Sequence, residues 1–426
     1  MTDVLSLDVL TTLILLPIVG AALVFIIPAS QKRLARWTAL GISVVVMFMA
    51  LGIFYNVQND PPAAGEWAFE AQAEWFPQIN ASWHVGVDGL SAAMVLLTGI
   101  LVPFAILIAF EDDRNVSQYM ALFLFLEAGM IGVFVALDMM IFFLFWEIGL
   151  VPMYFLIFLW GGENRRYAAN KFFLYTMAGS LGLLLATQFI GWKVGSFDIP
   201  VMLRDWPLMD FDDIKIFGFW PWNVKYFALL GFALAFLIKM PAWPFHTWLP
   251  DAHTEAPTAG SMLLAGVLLK LGAYGFLRLA IPLFPTEWII LREPLGGAFA
   301  FKLVDIIGFL AMMGIVMGGL AAWGQNDFKR LVAYSSVNHM GFVVLGLAVA
   351  ALMYGTTWAD AHSRTQLVAG VAGIDTEQEY EGGLSAKVNE VYPAEFREQD
   401  TQDARTALNG AVLQMFNHGL SSAGMF

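Results

Sequence analysis

The feature that most constrains this chain is its series of long apolar runs. A membrane helix needs about 20 predominantly apolar residues to cross a hydrocarbon layer ~30 Å thick. Eleven such runs fall roughly at 8–27, 36–56, 90–110, 117–136, 139–160, 168–191, 226–246, 258–281, 303–324, 330–352 and 409–426. Lipid admits only helices or closed barrels, and these runs are too long for barrel strands. The expectation is an all-α polytopic membrane protein without strands. Composition agrees, with 59% hydrophobic and 13% charged residues where soluble domains carry about 25% charged. Two aspartates and no basic residue precede the first run, so it reads as a membrane helix and not as a cleaved signal peptide.

The net charge of −13 argues against nucleic acid as a partner, which calls for a basic face. The chain has no cysteine, which excludes disulfides, thiolate metal sites and iron–sulphur ligation from it. Neither a phosphate-binding loop nor a dinucleotide fingerprint is visible.

Short basic connections set the expected orientation. Lys32, Arg33 and Arg36, then Arg165, Arg166 and Lys171, then Lys329 and Arg330 all fall on one side, which the positive-inside rule makes cytoplasmic. The N-terminus is then outside, with the long connections 57–89, 192–225, 282–302 and 353–408. Segment 353–408 is polar and acidic, and reads as a solvent-exposed insertion. The run 409–426 reads as a helix cut at Phe426, so the sequence is expected to be a fragment or a truncated reading frame.

Ionisable residues deep in a membrane are costly and call for a reason. Glu147 lies in "MIFFLFWEIGLVPMYFLIFLW", where Pro152 removes a hydrogen bond and loosens the helix near 147–148. A carboxylate reaching for the interface is the competing reading. Lys239 lies in "ALAFLIKMPAWPFHTWLP", where Pro241 and Pro244 interrupt the helix and free carbonyls around Ile238 and Met240. Irregular backbone at that depth is tolerated where it is buried in protein or lines a cavity. A lysine there becomes a switchable proton site if a facing carboxylate can move; a static ion pair is the alternative. Lys270, in "LLAGVLLKLGAYGFL", has no proline break beside it. His339 accompanies Ser335, Ser336 and Asn338, and histidine suits a relay near neutral pH, though it can equally be a hydrogen-bonded core residue. Glu127 and His418 are secondary candidates. His246 and His253, with Asp251, are read as the cytoplasmic connecting loop, where water and protons enter. Their spacing is weak support for a metal site. The row carboxylate–lysine–lysine–histidine reads as an ion or proton path.

At these residues the chain resembles a known family. "FFLFWEIGLVPMYFLIFLWGGENRRYAANKFFLYTMAGS", "KMPAWPFHTWLPDAHTEAPTAGSMLLAGVLLKLGAYGFLRL", "NDFKRLVAYSSVNHMGFVVLG" and "GAVLQMFNHGLSSAGMF" resemble the proton-translocating, antiporter-like subunits of NADH:quinone oxidoreductase, or complex I. The resemblance implies inverted five-helix repeats with broken helices, about 11 of 14 helices being present here. It places N-terminal helices at 1–110, a first repeat at 111–281 and a truncated second repeat at 303–426, interrupted by the insertion 353–408. It makes Glu147 the essential glutamate, Lys239 its partner, Lys270 the central lysine and His339 a member of the same axis. It implies adjacent membrane-arm subunits as partners, a bacterial plasma membrane as location, and no cofactor in this chain. NADH, FMN, iron–sulphur clusters and quinone would belong to partner subunits. The second repeat's exit-side glutamate would lie beyond Phe426. Alternatives are an Mrp-type cation/proton antiporter subunit, a membrane-bound hydrogenase subunit, or a structural spacer.

Overall fold

Helix starts in this chain are fixed by acidic and amide side chains. The computed structural model describes residues 8–63, 65–211, 214–216, 220–289, 302–372 and 395–426. Asp8 caps α1 (Val9–Phe25) and Asp88 caps α3 (Gly89–Ile108), each accepting from a backbone N–H of the first turn. Asp138 does the same for α5 (Met139–Ile148), Asp198 for α8 (Ile199–Asp205) and Asn223 for α9 (Val224–Lys239). Such caps satisfy N–H groups that a helix leaves unpaired, which matters most where lipid offers no substitute.

Eight helices among the described residues are long and apolar enough to cross a membrane. They include α2 (Lys32–Asn59), α4 (Val116–Val135), α7 (Arg165–Val194) and α12 (Leu303–Trp323). All eleven expected spans fall on helices. The span 139–160 is split: α5 ends at Ile148, Gly149 makes the joint, and α6 (Leu150–Trp160) follows. The span 226–246 is interrupted as its prolines require. After Lys239 the helical bonding stops, and α10 (Trp248–Glu255) resumes it. The carbonyl of Ile238, freed by the break, accepts from Trp248 Nε1 at 2.9 Å. Helix α11 (Thr258–Leu283) carries two π-helical turns, Leu264–Leu268 and Phe276–Ala280.

Two expectations need correction. Strands do occur, in the long connections: β1 (Ala68–Phe76) and β2 (Ala81–Val87) form an antiparallel hairpin, and Ile214–Ile216 pairs with Trp220–Trp222. Span length speaks only for residues inside lipid, so it could not reveal them. The expected loop 353–408 is also narrower than its polarity suggests. Helix α13 (Phe328–Ala372) continues past the span, and α14 (Glu395–Met425) begins before the next one. Polar residues such as Gln, Arg and Glu are good helix formers, so polarity alone does not end a helix. Residues 373–394 lie outside the described ones.

The basic connections gather on one face. There Arg36 pairs with Asp113 at 2.9 Å, and Asp251 accepts from Lys171 at 2.7 Å and Arg330 at 3.0 Å. The hairpin lies on the opposite face, where Ser82 N donates to Asp138 and Trp83 Nε1 to Thr11.

Candidate functional site

Glu147 sits at the end of α5, beside the Gly149 joint, half-buried, with a buried Oε1 that has no hydrogen-bond partner. Lys239 is the last residue of α9 and is 3% exposed. The resemblance makes these two partners, yet they form no ion pair here. The Lys239 ammonium instead lies 4.8 Å from the centroid of the Trp146 ring. Successive residues on a helix point about 100° apart, so Trp146 and Glu147 do not both face one ammonium. Trp146 is itself held, its Nε1 donating to Ser180 Oγ at 3.0 Å. Sequence reasoning missed it, although a tryptophan at mid-span, away from the interfacial belt, was a usable signal.

Lys270 is fully buried in α11, just after the first π-helical turn. Its ammonium bonds the Ala265 carbonyl within that turn, and its Nζ lies 2.7 Å from His418 Nδ1. π-Turns inside helices mark functional sites often enough to be worth noting. The approach of α14 to α11 depends on two glycines: a Cβ on Gly419 would lie 2.8 Å from the Gly266 carbonyl oxygen. That contact brings His418 to Lys270. Lys239 and Lys270 sit on neighbouring helices, since a Cβ on Gly272 would lie 2.6 Å from the Phe236 carbonyl oxygen.

From His418 the row continues to His339, which is exposed on the bundle surface rather than buried, the two ring centroids being 5.5 Å apart. Gln414, one turn before His418, reaches His339 Nδ1 from Nε2 at 3.1 Å. Gln414 was not foreseen, because nothing in its local sequence shows which way α14 faces. The serine and asparagine beside His339 go elsewhere. Ser336 donates to the Val332 carbonyl, and Asn338 to the Ile315 carbonyl across a helix interface.

The remaining candidates are placed differently. His253 is not in an open loop: it lies in α10, fully buried, with its ring stacked 4.7 Å from Phe426. The stretch after the proline break refolds as helix, which corrects its reading as a connecting loop. His253 is within electrostatic reach of Lys270 and His418, so it flanks the row. His246 lies in a short 3-10 turn, half-buried, 6.2 Å from the Tyr334 ring, outside the row. Glu127 is fully buried in α4 with neither oxygen hydrogen-bonded, and nothing joins it to the others. No group of metal-ligating residues converges among the described residues.

Fold and site together define a polytopic membrane protein with two interrupted helices and a row of ionisable side chains that is buried from Lys239 through Lys270 to His418. Residues 136–379 match the family described as NADH:quinone oxidoreductase/Mrp antiporter, TM, and the chain belongs to that family. Within it, the chain is similar to NADH-quinone oxidoreductase subunit M. It is 41% identical to that of Rhodobacter capsulatus over 354 residues, which is 80% of this chain and 64% of the relative. It is 36% identical to that of Pseudomonas aeruginosa over 435 residues, covering 98% of this chain and 70% of the relative. Among solved structures, one chain of respiratory complex I from Thermus thermophilus with bound NADH superposes with a TM-score of 0.65 at 27% identity, covering 98% of this chain and 86% of that one. The chain thus spans about two thirds of the length of these curated relatives.

Proposed function

We propose that this chain is a proton-translocating membrane-arm subunit of NADH:quinone oxidoreductase, and that its buried row carries the proton. The observation that carries this reading is the contact between Lys270 and His418. Two titratable nitrogens, 2.7 Å apart in a fully buried setting, are one hydrogen bond from a proton transfer. In that step the N–H bond at Lys270 Nζ breaks and one forms at His418 Nδ1, leaving a neutral amine and an imidazolium. The ring contact to His339 extends the path.

Lys239 is the proposed switch. With Glu147 close, the ammonium is stabilised; with Glu147 turned away, only the Trp146 face holds it, and the proton is easier to give up. A relative motion of the two halves of the α5–α6 helix about Gly149 moves Glu147 at little cost, because Pro152 has no N–H to bond the Ile148 carbonyl across the joint. His253 flanks the axis, and Asp251 with Lys171 and Arg330 guards its basic-face end.

The division into helices 1–110 and repeats at 111–281 and 303–426 belongs to the same proposal, as does placement in a bacterial plasma membrane with the N-terminus outside. The partners are adjacent membrane-arm subunits. Electron transfer among NADH, FMN, iron–sulphur clusters and quinone is assigned to other subunits, and this chain supplies proton movement.

The test is Glu147→Gln in the assembled complex, reconstituted into liposomes. NADH-driven acidification is expected to fall about tenfold or more while assembly is kept. Normal acidification would refute the role of Glu147 and favour a structural spacer.

A further inference from the structure

Residues 270, 274 and 278 follow at intervals of four along α11, so the helix carries Lys270, Tyr274 and Arg278 from the middle of the bundle towards the hairpin face. Arg278 ends that series at the foot of a polar cavity of about 520 Å³, lined by Gln58, Glu66, Trp67, Asp88 and Arg278 among others. Its side chain is 11% exposed. Nη2 donates to Asp88 Oδ1 at 2.7 Å and to Ser91 Oγ at 3.2 Å, and Nε donates to the Tyr274 hydroxyl at 3.2 Å. The guanidinium lies 4.7 Å from the Trp67 ring and 5.3 Å from that of Tyr274.

The direction of these hydrogen bonds decides what the cluster can do. Tyr274 has one hydroxyl proton and gives it to the Phe134 carbonyl at 2.9 Å. It therefore accepts from Ser91 Oγ at 2.9 Å, and Ser91 in turn accepts from Arg278. Apart from the anchoring bond to Asp88, these bonds run inward from a guanidinium, which only donates, to a carbonyl, which only accepts. A proton hop requires each group to take one proton and pass another, and neither end of this series can do so. A fixed guanidinium at a pore mouth also repels cations, a device used in selective membrane channels.

From this geometry we infer that Arg278, anchored by Asp88, is a proton seal between the buried row and the aqueous cavity on the hairpin face. The inference rests on the proton-path reading of the row. A row of buried titratable groups close to an open mouth would otherwise leak protons back down the gradient. The seal closes that end in every state of the pump, because arginine does not lose its proton.

The experiment uses the assembled complex in sealed liposomes without NADH or quinone. A pH gradient is imposed with potassium and valinomycin present, and its decay is followed with an internal pH dye. Arg278→Ala is expected to raise the decay rate about tenfold over wild type, and Arg278→Lys severalfold, because a buried ammonium can lose its proton where a guanidinium cannot. An assembled Arg278→Ala complex that holds the gradient as wild type does would overturn the inference. Should that variant not assemble, Asp88→Asn frees the guanidinium with little change of shape, and a severalfold faster decay is expected; the wild-type rate there would overturn it equally. NADH-driven acidification by wild type, measured on the same liposomes, separates the two readings: its absence would refute the pump, whereas an unchanged idle leak refutes the seal.

Discussion

Lys270 Nζ lies 2.7 Å from His418 Nδ1, although 148 residues separate them in the chain. The partner comes from α14, and the Gly266–Gly419 contact lets it come close enough. His418→Gln keeps a side chain that can accept a hydrogen bond but removes the group that can be protonated. The complex is expected to assemble and to oxidise NADH, with NADH-driven acidification about tenfold lower. Acidification at the wild-type rate would take His418 off the path.

Trp146 and Lys239 should be energetically coupled. A desolvated cation over an indole is worth about 2 kcal/mol or more. A double-mutant cycle with Trp146→Leu and Lys239→Met, read by thermal unfolding of the complex, is expected to give a coupling of about that size. A coupling near zero would mean that the indole is only packing.

The break after Lys239 depends on Trp248, whose indole N–H occupies the freed Ile238 carbonyl. Trp248→Phe keeps an aromatic ring but removes the donor, leaving that carbonyl unpaired at a cost of about 1–3 kcal/mol in addition to the loss of buried volume. Lower thermal stability is the expected outcome, measured beside Phe172→Leu as a packing control, since Phe172 touches the same ring. If Trp248→Phe were as stable as wild type, the carbonyl would have to find another donor.

On the hairpin face, His84 lies between Asp198, at 2.6 Å from Nδ1, and Glu70, at 2.9 Å from Nε2. Burial opposes its charge, but the hydrogen bonds that its ring nitrogens donate to Asp198 and Glu70 outweigh that and hold its pKa above the ordinary 6.5. The stabilisation is complete below the unfolded value and is lost as pH rises through the higher folded one. Amide exchange across 68–87, corrected for intrinsic rates, should therefore quicken as pH rises above 6.5. In His84→Gln the protection should be independent of pH across that window; a pH step that survives the substitution would point to another group.

Much of this fold is legible in the sequence because lipid imposes a length and a polarity on every span. Pro152 announces the Gly149 joint, and Pro241 with Pro244 announce the break at Lys239. What the sequence hides is facing. It shows that Glu147 and Lys239 are deep, but not that Trp146 turns to the ammonium in place of Glu147. It shows His418 as a histidine in an apolar run, but not that it is the residue Lys270 touches, because that depends on the rotation of α14 about its axis. The hairpin and Arg278 were missed for a different reason. They lie at the water-facing ends, where no length rule applies and aspartates such as Asp88 and Asp198 look like ordinary loop residues.

The central claim is that protons move along the buried row, and Lys239→Ala in the reconstituted complex tests it most directly. The measurement is NADH-driven acidification per NADH oxidised, with Lys239→Arg beside it. Both variants are expected to assemble, to retain weak NADH oxidation and to acidify poorly: alanine carries no proton, and arginine keeps the charge without releasing it. Wild-type acidification per NADH in either variant would contradict the account.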